Sequence, residues 1–245
     1  MDPSYADFIS QRRAEILERM EAVLALSGRT VDDVAVVAVS KTVGVAEVLA
    51  AMHAGYRIFG ENRPQELGRK LEGLGLVQGL EPYRFDMIGN LQTNKINAVL
   101  GRVELVHSVG TLHLAQAVSS RAERRMASGE LAGPQRVLIE VNVSGEETKG
   151  GFAPEDVRRA MDELQSLCGI QIEGLMTMAP RGDKNEARSC FEGLRLLRDE
   201  LSQVSGLPLH ELSCGMSEDF EPALVEGSTI VRLGRVVFDP SFAVL

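Results

Sequence analysis

Apolar residues follow two rhythms along this chain. Near 34–40, 56–59, 83–88, 103–108, 136–143, 170–176, 209–213 and 229–233 they form short, almost unbroken runs. Runs of this length, rich in β-branched residues, predict strands buried on both faces. The segment at 34–42, VAVVAVSKT, is the strongest of them. Between the runs, apolar residues recur every three or four positions. Over 185–204, Ala187, Phe191, Leu194, Leu197, Leu201 and Val204 share one side of a predicted helix, and Gly206 closes it. The stretch 111–127 reads the same way. At the start, Ser4-Tyr5-Ala6-Asp7 has the S-x-x-D form of a helix start, Ile9, Ile16, Leu17, Met20, Val23 and Leu24 keep helical spacing, and Gly28 stops the run.

The count is eight strands, each followed by a helix or by the chain end. It predicts a single (β/α)8 TIM-type barrel over 1–245, with an extra N-terminal helix over 1–28 packed on it. A doubly wound open sheet is the alternative. In such a barrel, chemistry belongs to the C-terminal ends of the strands. Those ends read Lys41; Gly60-Glu61-Asn62; Gly89-Asn90-Leu91-Gln92; His107-Ser108; Asn142-Val143-Ser144; Met176-Thr177-Met178; 213–217, SCGMS; and 232–235, RLGR. They are polar and glycine-rich, whereas the strand beginnings are bland.

Three features stand out. Lys41 arrives where the central apolar run stops. A lysine there either snorkels to solvent or, deprotonated in a semi-buried setting, condenses with an aldehyde. The loops after strands 7 and 8 suit a phosphate. There Ser217 is positioned to cap a helix over 218–226, Gly215 and Gly234 allow close backbone approach, and Arg232 and Arg235 bring charge. Glu218 and Asp219 would oppose an anion unless they point away. The amides of Asn62 and Asn90 are weaker signals, because Asn beside Gly also makes plain turns. Of the four histidines only His107 falls at a strand end, and its expected role is structural. No pair of histidines has metal-ligand spacing, so no metal site is expected.

Composition narrows the partners. The 26 Lys and Arg against 35 Asp and Glu give a net charge of −9, which argues against a general nucleic-acid or anionic-membrane partner. No apolar stretch approaches the roughly 20 residues of a spanning helix, and the N-terminus lacks a signal-peptide pattern. Cys168, Cys190 and Cys214 are an odd set without metal-type spacing, so reduced thiols in a cytoplasmic protein are expected.

With these segments in view, the chain resembles the pyridoxal-phosphate homeostasis protein family. The matching segments are AVSKT at 38–42, FGEN at 59–62 with Gln65-Glu66, IGNLQTNK at 88–95, HSV at 107–109, VLIEVNVS at 137–144 with Lys149 and Gly151, GLM at 174–176, GMSEDFEPAL at 215–224 and GSTIVRLG at 227–234. They run in order over nearly the whole chain after the first helix. There are departures. Phe85-Asp86 stands where the family usually has Trp-His, Arg235 where threonine is common, Arg63-Pro64 where an aromatic usually follows FGEN, and Gly110 where Asp usually follows HSV.

The resemblance implies a fold like the N-terminal barrel of bacterial alanine racemase, without that enzyme's second domain. It implies pyridoxal 5′-phosphate held as an imine on Lys41, phosphate contacts from the Ser217 and Gly234 loops, and Arg232 beside the pyridine nitrogen. The expected cofactor-binding set is Lys41, Asn62, Ser213, Met216, Ser217, Arg232, Gly234 and Arg235, with no catalytic residue assigned. The expected role is to carry and buffer the cofactor in vitamin B6 and amino-acid homeostasis, with pyridoxal-phosphate-dependent apoenzymes as possible recipients and a monomer as the expected state. The alternatives are a slow racemase or lyase using the same imine, and a lysine-imine aldolase without cofactor. Racemisation needs a second acid/base on the far face of the substrate carbon, supplied in alanine racemase by a tyrosine of the other domain. Here Tyr5, Tyr56 and Tyr83 all fall at the wrong end of the barrel.

Overall fold

The computed structural model describes residues 3–242. Within them the strands are β1 (Ala35–Val39), β2 (Ile58–Glu61), β3 (Arg84–Met87), β4 (Leu105–Val109), β5 (Gln135–Glu140), β6 (Ile170–Met176), β7 (Glu211–Ser213) and β8 (Ile230–Leu233). The helices are α1 (Pro3–Leu24), α2 (Val45–His53), α3 (Pro64–Gly75), α4 (Leu112–Ala127), α5 (Pro154–Gln165), α6 (Lys184–Ser205), α7 (Phe220–Val225) and α8 (Arg235–Phe238). All strand pairs are parallel and the sheet closes in sequence order, with Val37 of β1 set against both Ile58 of β2 and Arg232 of β8. The fold is the expected (β/α)8 barrel with its additional first helix.

Strand alternation sorts the apolar residues into two cores. Val37, Leu105, Leu138, Met176 and Ile230 fill the inside, with Ala35, Ile58 and Ile88 against them. Ala38, Phe59, Phe85, Val106, Ile139 and Val231 face outward and meet the helices. Gly60 shows how tight the inside is. A Cβ there would lie 2.8 Å from Val37 Cγ1 and 2.9 Å from Ile88 Cδ1. Two residues beyond this interior set come Arg232 after Ile230 and Glu140 after Leu138, which both line a cavity at the strand ends, and His107 after Leu105, which is buried beneath it.

The predicted helices over 185–204 and 111–127 correspond to α6 and α4. Gly206 ends α6 at φ 74°, a left-handed conformation that costs glycine little. Thr111 Oγ1 accepts the Leu114 N–H at 3.1 Å and so caps α4. Three expectations change. The first helix is already formed at Pro3, so Ser4 lies within its first turn and does not cap it. That helix becomes a 3-10 turn at Ala25–Ser27 before Gly28 stops it at φ 70°. Between β3 and β4 the chain makes a 3-10 segment, Thr93–Ala98, in place of an α-helix.

α1 buries Ile9, Ile16, Met20 and Leu24. It also ties itself to the far end of the chain. Tyr5 Oη donates to the Phe238 carbonyl at 2.9 Å, and Arg12 Nη1 donates to the carbonyls of Phe242 at 2.9 Å and Val236 at 3.3 Å. No helix among the described residues is long and apolar enough to cross a membrane. Cys168 is exposed, Cys190 and Cys214 are buried, and all three are free thiols.

Candidate functional site

A cavity of about 1270 Å³ opens at the C-terminal ends of the strands. Lys41, Asn62, Met216, Ser217, Arg232, Gly234 and Arg235 all line it. Seven of the eight expected residues thus meet at one place. The eighth, Ser213, does not line it. It is fully buried below, where its hydroxyl serves Arg232.

Lys41 is exposed at the cavity wall, not semi-buried as its strand-end position suggested. The reason is local. β1 stops at Val39, Ser40 is buried, and Lys41 opens the turn that follows. Ser40 is held from outside the barrel. Lys70 of α3 donates to the Ser40 carbonyl at 2.7 Å and pairs closely with Glu61 Oε1, to which Ser40 Oγ donates at 2.7 Å. This clasp of two buried charges and a hydroxyl fixes the backbone from which Lys41 emerges.

Arg232 is 5% exposed and lies at the cavity floor. Its Nη1 donates to the Ser213 carbonyl at 2.8 Å and to Ser213 Oγ at 2.6 Å, and its Nη2 to the Thr177 carbonyl at 2.9 Å. No carboxylate among the described residues hydrogen-bonds it. Burial pulls its pKa below the ordinary guanidinium value, while Cys214, Asp219 and Glu140 oppose that pull. A guanidinium nonetheless keeps its charge in proteins. A cation is therefore held by neutral acceptors at the floor of the cavity.

The network continues inward. Ser213 Oγ already accepts from Arg232, so its one proton goes to His107 Nδ1, 2.9 Å away. His107 is then neutral, with the proton on Nε2 facing Asp86 Oδ2 at 3.3 Å. Burial lowers the His107 pKa, against the opposing pull of Asp86. The structural role expected of His107 is what this chain of contacts gives it. Asp86 closes the chain, with Arg84 Nε 3.7 Å from its other oxygen.

The phosphate loops differ in detail from expectation. Ser217 does not cap the helix that follows it, because that helix begins only at Phe220, with Asp219 as its boundary residue. Ser217 Oγ instead accepts the Val236 N–H of α8 at 3.2 Å, which leaves the hydroxyl proton for another acceptor. Gly215 sits at φ +91°, and a Cβ there would lie 2.7 Å from Ala223 Cβ. The two acids of the loop line the cavity, but each is already engaged. Asp219 Oδ1 accepts the Met216 N–H at 2.5 Å, and Glu218 pairs with Arg235 Nη2 at 2.8 Å. The Arg235 guanidinium also lies over the Phe242 ring, 5.0 Å from its centroid. It is engaged twice before any ligand arrives.

Sequence reasoning missed Glu140. It ends β5, is 8% exposed, and lines the cavity. Burial raises its pKa, with Arg232 acting against the rise. Its place in the in-out alternation, two after Leu138, was the available signal. None of the three tyrosines lines the cavity.

An exposed amine, a buried cation without a carboxylate on it, free hydroxyl and amide donors, and glycine-containing loops suit an anionic aldehyde. The comparisons agree with the architecture. Residues 16–241 match the family model described as alanine racemase, N-terminal domain. A pyridoxal phosphate homeostasis protein of Aquifex aeolicus is 38% identical over 93% of this chain and 96% of its own length. One of Pseudomonas aeruginosa is 37% identical over 94% of both. The PipY protein of Synechococcus elongatus, solved with PLP bound, is 32% identical, with a TM-score of 0.78 over 94% of this chain and 99% of its own. Alanine racemase of Corynebacterium glutamicum shares the fold at 15% identity, with a TM-score of 0.70 over 98% of this chain and 63% of its own. The chain belongs to the pyridoxal phosphate homeostasis protein family, built on the barrel of the alanine racemase N-terminal domain.

Proposed function

We propose that this chain binds pyridoxal 5′-phosphate as an imine on Lys41, and that it carries and buffers the cofactor in the cytoplasm, as a monomer, for apoenzymes that depend on it. The observation that carries this reading is the pairing, in one cavity, of the exposed Lys41 amine with the buried Arg232 guanidinium. The names of the relatives and the PLP-bound PipY structure support the cofactor.

When bound, the group supplies an aldehyde carbon that amines exchange. The residues around it do the rest. Lys41 provides the resident amine. Ser217 Oγ–H, the Asn62 amide and Arg235 are the donors available to an anion, and the Gly234 loop lets it approach. Arg232, its cation braced by Ser213 and Thr177, disfavours a second positive charge beside it. A pyridine nitrogen kept unprotonated is a weak electron sink, so carbanion chemistry is held back. The racemase alternative lacks the tyrosine that such chemistry uses.

The test is a visible spectrum before and after borohydride reduction, with the reduced peptide mapped. Loaded wild type should absorb in the imine range and carry the reduced group on Lys41, and Lys41→Ala should lose the adduct. A reduced group mapped to Lys95 or Lys149 would overturn the assignment. Mixing loaded protein with an unloaded pyridoxal-phosphate apoenzyme should restore that enzyme's activity. Amino acids in heavy water should show negligible α-proton exchange by NMR. Brisk exchange lost in Lys41→Ala would make the protein an enzyme instead.

A further inference from the structure

A carrier of this kind must hand its cargo from one nitrogen to another. Most amines reach the cavity as ammonium ions, which are not nucleophiles until they lose a proton. The cavity must therefore hold a base. Four carboxylates line it: Glu140, Asp183, Glu218 and Asp219. Asp183 accepts the Asn185 and Glu186 N–H groups at the start of α6. Glu218 is paired with Arg235, and Asp219 accepts from Met216. The Glu140 carboxylate has no hydrogen-bond or ion-pair partner among the described residues, although the residue is 8% exposed and its main-chain carbonyl accepts the Phe152 N–H at 2.8 Å. Its oxygens stay accessible from the cavity, so a ligand can reach the carboxylate.

Its surroundings keep it so. Gly110 and Gly150 stand beside it, and a Cβ on Gly110 would lie 3.3 Å from Glu140 Oε2. Two residues without side chains thus leave the carboxyl uncovered. β5 is also the strand directly across the closed barrel from β1, the strand that delivers Lys41. The two groups approach the cavity from opposite walls.

We propose that Glu140 is the base that deprotonates an incoming primary amine, so that the site exchanges its cargo with ammonium-type ligands. This rests on the reading of Lys41 as the resident amine. The incoming ammonium gives one proton to the Glu140 carboxylate. Its nitrogen then bonds to the carbon that Lys41 holds by a double bond, passes its two remaining protons to Lys41 Nζ, and completes its own double bond to that carbon as the bond to Nζ breaks. The departing Nζ takes the third proton back from the carboxyl and leaves as an ammonium. No electrons are gained or lost, and the carboxylate is restored. The raised pKa of Glu140 supports the assignment, since it makes the carboxylate a better base than a solvated glutamate.

The experiment compares two probes on loaded protein, followed by the change in the visible band. Ethylamine is protonated at neutral pH, whereas methoxyamine is not. Glu140→Gln should slow exchange with ethylamine about tenfold or more, slow exchange with methoxyamine much less, and leave equilibrium affinity for pyridoxal phosphate nearly unchanged. In Glu140→Ala, added formate should restore ethylamine exchange. His113, exposed on α4 and also lining the cavity, is the competing base. Equal slowing of both probes, no slowing of ethylamine, failure of formate to rescue, or slowing in His113→Gln in place of Glu140→Gln would overturn the proposal. Loss of the Lys41 reading shows separately, as a loaded wild type without a reducible adduct on Lys41, and that result would overturn both.

Discussion

Two buried polar clusters lie within a few residues of the cavity, and they handle charge in opposite ways. Outside the barrel, Lys70 and Glu61 neutralise each other and grip Ser40. Inside it, Arg232 is gripped by a hydroxyl and two carbonyls, and its charge is left whole. The first arrangement is a mechanical clasp. It sets where Lys41 leaves β1 and contributes little field to the cavity. The second conserves field, since a guanidinium bonded only to neutral acceptors still presents its full charge to whatever occupies the cavity. A cluster that neutralises itself serves position, and one that does not leaves its charge facing the cavity.

The sharpest way to break this comparison is to cut the clasp. Lys70→Met leaves the Glu61 carboxylate buried without its cation, and unfolding in urea should show a loss of about 3–5 kcal/mol. Replacing both residues, Lys70→Met with Glu61→Leu, should recover most of that loss, because no uncompensated charge remains. A double variant as unstable as the single one would show that the Ser40 contacts, not the charge pairing, hold this corner.

Arg232→Met comes next. It strips partners from the Ser213 hydroxyl and carbonyl and the Thr177 carbonyl, with an expected cost of about 2–3 kcal/mol. Unlike the Lys70 variant, it should also weaken pyridoxal phosphate binding at least tenfold, measured by equilibrium dialysis. Unaltered affinity would mean that the inner cluster is structural like the outer one.

The smallest effect is on pH. Burial holds the His107 pKa below its ordinary value of 6.5. Above that value the imidazole is neutral both folded and unfolded, and stability is complete. As pH falls below 6.5 the unfolded chain takes up the proton first, so stability declines by at most about 1.4 kcal/mol per pH unit. His107→Gln should remove that slope. The raised pKa values of Glu140 and Asp219 work the other way, favouring the folded state as pH falls. They are common to both proteins, so the difference between the two stability curves isolates His107. Parallel curves would mean that the fold leaves the His107 pKa where the unfolded chain has it.

How much of this was written in the sequence depends on the kind of signal. Barrel strands buried on both faces read as apolar runs, so all eight were legible, and Lys41 was found because it breaks the clearest one. Glu140 was overlooked for a related reason. The fifth run looked as if it continued to 143, but β5 ends at Glu140. A boundary drawn three residues late hides a strand-end carboxylate inside the strand. The inner chain was illegible for another reason. Asp86, His107, Ser213 and Arg232 come from four strands, and only barrel closure brings them together. Ser217 was placed correctly at the cavity, but its bond crosses to α8, a tertiary choice that local capping rules do not contain.

The pairing of β1 with β8 has a consequence for synthesis on the ribosome. Val37 meets Arg232 across that seam, and Tyr5 and Arg12 find their acceptors among residues 236–242. A nascent chain paused before β8 emerges carries Lys41 on an open sheet edge, without Arg232 and without the braces of the first helix. Such a chain has an amine but no cavity. Cofactor capture must therefore follow translation of the seam, because the cavity exists only once β8 has closed against β1.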